Sequence, residues 1–314
     1  MKTLQGKQLL EGSAPFQLGP HDSGRMMRWV LIAILPVVVI LSWTNGPGLL
    51  SHLLQLCLYA LALEALVARL RGLPPRRLLR DNSALVTAFV LAICLPPATA
   101  WWILPIASAI AILLAKHSFG GLGQNPFNPA MVTYVVLCMA FPEQMSGGAS
   151  LMTVSQIDIG SLEDLSGDSW VLVSLALLAG ACLLLLLRVI SWQIPFGMLT
   201  CLAILAQLWP VDDSRLPGLA VMTAGTIFCA FFIATDPVTS ASTALGKLLY
   251  GAVIGAVLFA VRYGLDRADA IAIAVLIGNL FAPLLDLATR PRIYGHRARW
   301  RLNQGRINEP DQAH

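Results

Sequence analysis

Long apolar stretches separated by short polar segments run through almost the whole chain. Ten of them follow one another, and most approach the roughly 20 apolar residues that a helix needs to cross about 30 Å of hydrocarbon. The third and fifth are short for a full crossing. This pattern predicts an all-α polytopic membrane bundle of about ten transmembrane helices. The predicted spans are residues 27–43, 48–69, 82–95, 101–115, 129–141, 170–190, 194–209, 217–234, 247–263 and 269–289.

The composition supports this class of protein. Hydrophobic residues make up 57% of the 314 residues and charged residues 12%, which is too apolar for a soluble core with a charged surface. Lys and Arg are retained on the cytoplasmic side of membrane proteins, and with ten spans each basic cluster falls on the same side. Both termini are therefore predicted to be cytoplasmic. The net charge of +4 is mostly a topology signal, and no nucleic-acid-binding motif accompanies it.

These spans divide the chain into three parts. Residues 1–26 form a cytoplasmic N-terminal segment without an apparent removable signal peptide, residues 27–290 form a single transmembrane domain, and residues 291–314 form a basic cytoplasmic tail. The loop at 142–169 is acidic and is predicted to be extracytoplasmic. All six cysteines lie inside apolar runs without a CxxC pair, so neither a disulfide framework nor a metal site is predicted.

Two short motifs occur once in each half of the chain. Asn125-Pro-Phe-Asn-Pro129 is echoed by Asn279-Leu-Phe-Ala-Pro283, and Thr87-Ala88 is echoed by Thr223-Ala224. An odd number of crossings in each half would invert the second copy relative to the first. The motifs favour two inverted five-helix repeats with broken or short helices, an arrangement that membrane transport proteins use to build a midplane site.

The stretch GGLGQNPFNPA, residues 120–130, interrupts the apolar pattern most strongly. Its prolines remove backbone donors and its glycines permit left-handed turns, so the segment cannot be an ordinary helix. Asn125 and Asn128 supply amide donors and acceptors for an uncharged polar ligand such as a flavin ring, with Gly121 and Gly123 allowing close approach of the backbone. The alternative is a cytoplasmic turn in which Asn128 merely caps the fifth span.

Two further polar segments adjoin the predicted spans. In ATDPVTSAST, residues 234–243, several hydroxyls including that of Thr239 surround the carboxylate of Asp236, which either caps the next helix, binds a cation or faces a cofactor. In RDNSALVTA, residues 80–88, Asp81, Asn82 and Ser83 come just before the third span and are first a capping signal. The two carboxylates are also candidates for an ion path.

Other charged residues lie within or beside the spans. Intramembrane acids cost about 2.5–3.5 kcal/mol on insertion scales and usually face a partner or a pathway, so Glu64 in the second span either pairs with a nearby Arg or belongs to an ion path. Asp286 precedes Arg290 by four residues, which predicts a salt bridge along one helix. Lys116 and His117 end the fourth span and are predicted to be topology anchors at the cytoplasmic surface, although Lys116 also suits the negative pole of a flavin.

Four segments of the chain together resemble a known family. KHSFGGLGQNPFNPAMVTYVVLCMAFPEQM, DNSALVTAFVLAICLPP, FFIATDPVTSAST and LLDLATRPRIYGHR are similar to the RnfD (RsxD) subunit of the Rnf ion-translocating electron-transport complex, which is related to NqrB of the sodium-pumping NADH:quinone reductase. The resemblance implies a bacterial inner-membrane subunit that carries flavin while electrons pass between NADH and ferredoxin chemistry and sodium or protons cross the membrane. It also implies partner subunits that carry flavin and iron-sulfur groups, and a non-covalent riboflavin near Asn125 and Asn128.

One departure from the family pattern concerns the extracytoplasmic loop. Members of the family hold FMN through a phosphoester to the last Thr of a Ser/Thr-Gly-Ala-Thr-like motif, whereas the closest string here is Ser150-Leu-Met-Thr153. Small residues are what allow a backbone to approach an isoalloxazine closely. Covalent FMN on Thr153 is therefore in doubt. We expect that this flavin is lost or that another subunit carries it.

The sequence thus predicts a flavin-carrying or flavin-adjacent subunit of an ion-translocating oxidoreductase, with no catalytic residue of its own and no metal. The dinucleotide fingerprint and the Walker loop are missing, so NADH is not expected to bind this chain. The alternatives are a channel or facilitator for a small neutral solute, or a structural membrane anchor for redox subunits. The candidate cofactor-binding residues are Asn125, Asn128, Gly121, Gly123, Asp236, Thr239 and Thr153, and the candidate ion-path residues are Glu64, Asp81 and Asp236.

Overall fold

The structure is a computed structural model, and it describes residues 20–146, 150–152, 169–209, 223–265, 267 and 269–290. These ranges contain ten apolar helices. No strand occurs in these ranges. The predicted all-α fold is therefore confirmed, and each predicted span has its own helix. The helices are α1 (Pro20–Asn45), α2 (Gly48–Leu70), α3 (Ser83–Cys94), α4 (Ile103–Phe119), α5 (Pro129–Ala140), α6 (Ser169–Leu186), α7 (Gln193–Leu208), α8 (Ala224–Ile233), α9 (Ala244–Gly264) and α10 (Ala270–Thr289).

The helices differ in how far they reach. Four of them, α1, α2, α9 and α10, are long and apolar enough to cross a membrane by length and composition. By contrast, α3 and α5 have 12 residues each, which at 1.5 Å per residue is about 18 Å, well short of the hydrocarbon thickness. Helix α8 is shorter still. Each short helix is preceded or followed by irregular backbone, as the predicted breaks require.

Three of the described helices contain π-helical stretches. The stretch Ile110–Lys116 lies in α4, Cys229–Ile233 ends α8, and Ala260–Gly264 ends α9. A π stretch fits one more residue into a turn than an α-helix does and is frequent at functional sites. In α4 and α9 it occupies the last turns before the chain leaves the bundle, and a buried cation lies in each.

Helix packing repeats between the two halves of the chain. Helix α2 packs against α4 as α7 packs against α9, α4 against α5 as α9 against α10, and α1 against α3 as α6 against α8. The halves meet where α1 packs on α6 and α5 on α10. This pattern agrees with two five-helix repeats, and the π stretches of α4 and α9 occupy matching helices.

The motifs that suggested the repeat do not mark equivalent positions. Asn125-Pro-Phe-Asn-Pro129 precedes α5, whereas Asn279 and Pro283 lie inside α10. Likewise Thr223 caps α8, whereas Thr87 lies in the second turn of α3. The repeat is carried by the order and packing of the helices, and those two short matches do not define its register.

Glycines on α7 and α9 let these two backbones touch. A Cβ on Gly197 would lie 2.2 Å from the carbonyl oxygen of Leu248, and one on Gly251 would lie 2.2 Å from that of Ile194. A Cβ on Gly255 would lie 2.5 Å from the Met198 carbonyl oxygen. Small residues at such contacts allow close packing where lipid removes the hydrophobic drive between helices. The α7–α9 pair is therefore a tightly packed seam.

Candidate functional site

The irregular turn after α4 is held in place by glycines and by an arginine that directly follows α2. Gly120, Gly121 and Gly123 all have φ between +89° and +117°, a region that side chains with a Cβ rarely adopt. The guanidinium of Arg71 donates to the carbonyl oxygens of Gly120 at 2.8 Å and of His117 at 2.7 Å. Arg71 thereby binds the Gly120 carbonyl together with the His117 carbonyl, which also accepts from the Gly120 N–H at 3.2 Å.

The two asparagines of this turn have different roles. Asn128 accepts from the backbone N–H groups of Ala130 at 3.0 Å and Met131 at 3.4 Å. It therefore caps α5, which is one of the two roles that the sequence predicted for it. Asn125 is 5% exposed and donates from Nδ2 to the Phe127 carbonyl oxygen at 3.1 Å. Its Oδ1 is buried and has no hydrogen-bond partner in the described part of the chain. A buried amide oxygen without a donor costs free energy unless a ligand or water supplies one.

In the second polar turn, residues 234–243, the hydrogen bonds of Asp236 go to residues of the same turn. Asp236 accepts from the Val238 N–H and from the Thr239 hydroxyl, both at 3.3 Å. Helix α9 is capped instead by Thr243, whose Oγ1 accepts from the Gly246 N–H at 3.0 Å, so Asp236 does not cap the next helix. Desolvation by the surrounding protein disfavours the charged form and raises the pKa of the half-buried Asp236 carboxyl, while its two hydrogen bonds act to lower that pKa.

The two polar turns meet at one cleft. Its walls also come from α1, α3, the end of α4, the start of α5 and the end of α8. Asn125, Asn128 and Asp236, three of the predicted site residues, line this cleft together. The lining side chains are mainly apolar, and the polar ones are those of Ser83, Thr87, Lys116, Asn125, Asn128, Thr235 and Asp236.

Other predicted site residues lie elsewhere. Thr239 lines a neighbouring cleft together with Asn279 and Asp286. Gly121 and Gly123 shape the turn without lining the main cleft. Thr153, the candidate for covalent FMN, lies outside the described residues.

Glu64 belongs to a buried charged cluster, which we define as Glu64, Lys116 and His117. The Lys116 ammonium donates to the two Glu64 carboxylate oxygens at 2.9 and 3.1 Å, and His117 Nε2 lies 3.2 Å from Glu64 Oε2. The side chains of Lys116 and Glu64 are 2% and 1% exposed. Two predictions are therefore wrong. Glu64 pairs with a lysine of α4 instead of an arginine near its own helix, and Lys116 and His117 are buried instead of anchoring the surface.

The cluster extends to the segment before α3. Lys116 donates to the Ser83 hydroxyl oxygen at 2.6 Å, and that hydroxyl donates to the Asp81 carboxylate at 2.7 Å. Asp81 also accepts from the Ser83 N–H at 2.9 Å, whereas the N-cap of α3 is Asn82, which makes no side-chain capping bond. The two ion-path candidates Glu64 and Asp81 thus lie at opposite ends of one hydrogen-bonded chain, and both Ser83 and Lys116 line the cleft.

Asp286 does not form the predicted helical salt bridge. Its carboxylate accepts from the Ser242 N–H at 2.9 Å, the Ser242 hydroxyl at 2.8 Å and the Thr243 N–H at 3.1 Å. Three donors at the start of α9 satisfy the carboxylate better than the single exposed side chain of Arg290 would. Asp286 therefore ties α10 to the second polar turn.

The second buried cation was missed by the sequence reasoning. Arg262, in the π stretch of α9, is 7% exposed and donates to the Thr226 hydroxyl oxygen at 3.1 Å. Thr226 in turn shares a 3.0 Å hydrogen bond with Thr223 at the start of α8. An arginine inside a predicted span was a sufficient signal, because such residues almost always face the interior of a bundle.

Comparisons with known proteins identify a family and several relatives of this chain. The family described as NQR2, RnfD, RnfE matches residues 11–295. The chain is similar to the D subunit of the ion-translocating oxidoreductase complex of Vibrio vulnificus strain YJ016, at 36% identity over 88% of this chain and 98% of the relative. It is also similar to the proteins of that name from Vibrio cholerae serotype O1 strain ATCC 39541, at 36% over 90% and 98%, and Escherichia fergusonii, at 35% over 91% and 98%.

The alignment with one relative is longer than this chain. The alignment with the Vibrio vulnificus protein extends over 347 positions although this chain has 314 residues. The relative therefore contains insertions that this chain lacks.

Proposed function

Because the chain belongs to the NQR2, RnfD, RnfE family, we propose that it is a membrane subunit of an Rnf-type complex that couples electron transfer between NADH and ferredoxin to sodium or proton translocation. In this proposal the chain holds a non-covalent flavin, riboflavin or FMN, in the main cleft. It lies in the bacterial inner membrane with both termini in the cytoplasm. Its partners are the flavin- and iron-sulfur-carrying subunits of the same complex.

The observation that carries the flavin assignment is the unpartnered Oδ1 of Asn125 beside a largely apolar cleft. A flavin ring presents an N–H donor between two carbonyl groups on one edge, so it fits an acceptor at that place. A quinone ring carries carbonyl acceptors only and leaves Oδ1 without a donor. Phe231 and Phe232 supply apolar wall for the rest of the ring, and the Lys116 ammonium lies at the same cleft.

When bound, a flavin would supply the electron-transfer chemistry, and this chain would supply position, polarity and a dry surround. Asn125 orients the ring edge, and Asn128 holds the start of α5 against it. For ion coupling we propose the chain of hydrogen bonds from Glu64 through Lys116 and Ser83 to Asp81, together with Asp236, which also lines the cleft. A linked ion movement requires two states of this path that differ in affinity with the charge in the cleft.

The experiment is a measurement of flavin in the purified complex. Asn125→Ala removes the acceptor, and Gln124→Ala, an exposed neighbour in the same turn, is the matched control. Leaving a buried hydrogen bond unmade costs about 1–3 kcal/mol, so Asn125→Ala should weaken flavin binding roughly 5- to 150-fold. The readout is the flavin released by denaturation for each copy of the chain.

Three outcomes would overturn the proposal. A colourless wild-type complex excludes the flavin and favours the structural anchor. Equal flavin content in the two variants removes Asn125 from the site. Flavin that stays with the denatured chain on a gel, together with an added FMN mass on the peptide spanning 143–169, would establish the covalent attachment at Thr153 that the sequence argues against.

A further inference from the structure

We propose that the neighbouring cleft, which Thr239 lines, binds one membrane phospholipid whose head group carries both a phosphodiester and a primary ammonium. We call it the α10 cleft, because six of its lining residues belong to that helix: Asn279, Ala282, Pro283, Asp286, Leu287 and Arg290. The inference goes beyond the proposed function and does not rest on it, since a chain without a flavin would bind the lipid in the same way.

The α10 cleft is an elongated groove that is open toward the lipid-facing side of the helix. Its six α10 residues are spaced by three and four positions, so they share one face of the helix over three turns. Arg290 lies at the outer end, and Asn279 lies eleven residues, or about 16 Å, deeper along the axis. Leu287 lines the cleft and is also exposed, on one face with the exposed Leu280 and Leu284. Acyl chains of a lipid in the groove would therefore continue onto this apolar face.

The deep end of the α10 cleft carries a polar group that lacks a partner. Asn279 is 2% exposed, and its Oδ1 accepts from the Tyr250 hydroxyl at 2.7 Å. In the described residues its Nδ2 has no hydrogen-bond partner. A buried donor of this kind is costly at membrane depth unless an acceptor reaches it. The ester carbonyl oxygens of a glycerophospholipid are acceptors, and they lie between its phosphate and its acyl chains, which is the order that the groove requires.

The outer end of the α10 cleft carries one charge of each sign. The exposed guanidinium of Arg290 suits a phosphodiester, and its long side chain leans back along the helix toward the cleft. The Asp286 carboxylate, fixed by Ser242 and Thr243, lies in the same lining. A head group with a phosphate alone would be repelled by this carboxylate, whereas an added ammonium is attracted to it. The cleft is therefore complementary to a zwitterionic head group.

The first test is a competition between two phospholipids that differ only in their head groups. The purified full chain in detergent is incubated with an equimolar mixture of dioleoyl phosphatidylethanolamine and dioleoyl phosphatidylglycerol, and native mass spectrometry identifies the lipid that remains bound. We expect one phosphatidylethanolamine for each chain, retained in preference to phosphatidylglycerol. Retention of neither lipid, or of both equally, would overturn the inference.

Variants at the two ends of the groove locate the bound lipid. Asn279→Leu removes the buried donor and should weaken phosphatidylethanolamine binding roughly 2- to 12-fold. Because this variant also disturbs the Tyr250 bond, the exposed Arg290 provides a second change that leaves the packing intact, and Arg290→Gln should weaken binding about 5-fold. The matched control is Arg69→Gln, which alters an exposed arginine in the last turn of α2 and should behave as the wild type. Equal retention in Arg290→Gln and Arg69→Gln would exclude the α10 cleft as the lipid site.

A third variant tests the assignment of the ammonium to Asp286. Asp286→Asn removes the negative charge, so the ratio of bound phosphatidylethanolamine to phosphatidylglycerol should fall. The two lipids compete for the same folded molecules, so a loss of stability in this variant does not affect the ratio. An unchanged ratio would refute the zwitterionic selectivity. None of these measurements requires a cofactor, so a chain that binds the lipid but no flavin would count against the proposed function alone.

Discussion

Removing Lys116 tests the charged cluster most directly. In Lys116→Met the Glu64 carboxylate loses its 2.9 and 3.1 Å contacts in a site that is about as dry as the core, since Glu64 is 0% exposed. Breaking a buried ion pair by removing one partner typically costs about 3–5 kcal/mol, because the remaining charge is uncompensated. Glu64→Gln strands the ammonium and should cost a similar amount. Replacing both residues together removes both charges.

The double variant Glu64→Gln with Lys116→Met should therefore lose no more than either single variant. The assay is reversible unfolding of the purified chain in mixed micelles, titrated with SDS and followed by helical circular dichroism. Lys247→Met is the control. Among the described residues this half-buried lysine donates to one neutral partner, the Ser191 hydroxyl at 2.8 Å, and its loss should cost only about 0.5–1.5 kcal/mol. If the losses of unfolding free energy in the two single variants add up in the double variant, the two residues act independently, and there is no coupling free energy between Glu64 and Lys116.

Two further predictions use the same titration. Gly251→Val places side-chain atoms where even a Cβ would lie 2.2 Å from the α7 backbone, so it should lower the free energy of unfolding by about 1–3 kcal/mol or more. Gly264→Ala, in the same helix but with open space at that position, should lower it far less. Equal losses of stability in the two variants would contradict a tightly packed α7–α9 seam. Asp286→Asn should cost about 1–3 kcal/mol because the donors of Ser242 and Thr243 lose a charged acceptor. Arg290→Gln should change nothing, and a loss matching that of Asp286→Asn would restore the helical salt bridge.

The sequence predicted the helices well because their signal is local. Each apolar stretch is visible in the sequence without reference to any other segment, so all ten spans were located. The short length of α3 and α5 was also predicted correctly, from residues 82–95 and 129–141. The break at 120–128 was also predictable, since glycine and proline act on their own backbone. These are properties of single segments and require no knowledge of neighbours.

Partners across the bundle were harder to predict. Glu64 and Lys116 are separated by 52 positions, and Asp286 and Ser242 by 44, whereas the sequence reasoning considered arginines close by in the chain. A helix pattern shows which residues share a face, and the choice of facing helix comes from packing. Asn125, Asn128, Asp236 and Thr239 were predicted to belong to one site. The first three line the main cleft, whereas Thr239 lines the neighbouring one, a division that depends on how α5 and α8 are placed.

The π-helical stretch of α4 has a consequence for how this segment can vary. Each residue advances an α-helix by about 100°, and a π turn absorbs one extra residue without rotating the rest of the helix. Losing a single amino acid between Ile110 and Lys116 would therefore restore the ordinary winding while the ammonium keeps its direction toward the Glu64 carboxylate. Losing a second one would leave no extra residue to remove and would rotate the ammonium by roughly 100° away from that carboxylate. We therefore expect the segment to accept a deletion of one residue but not of two.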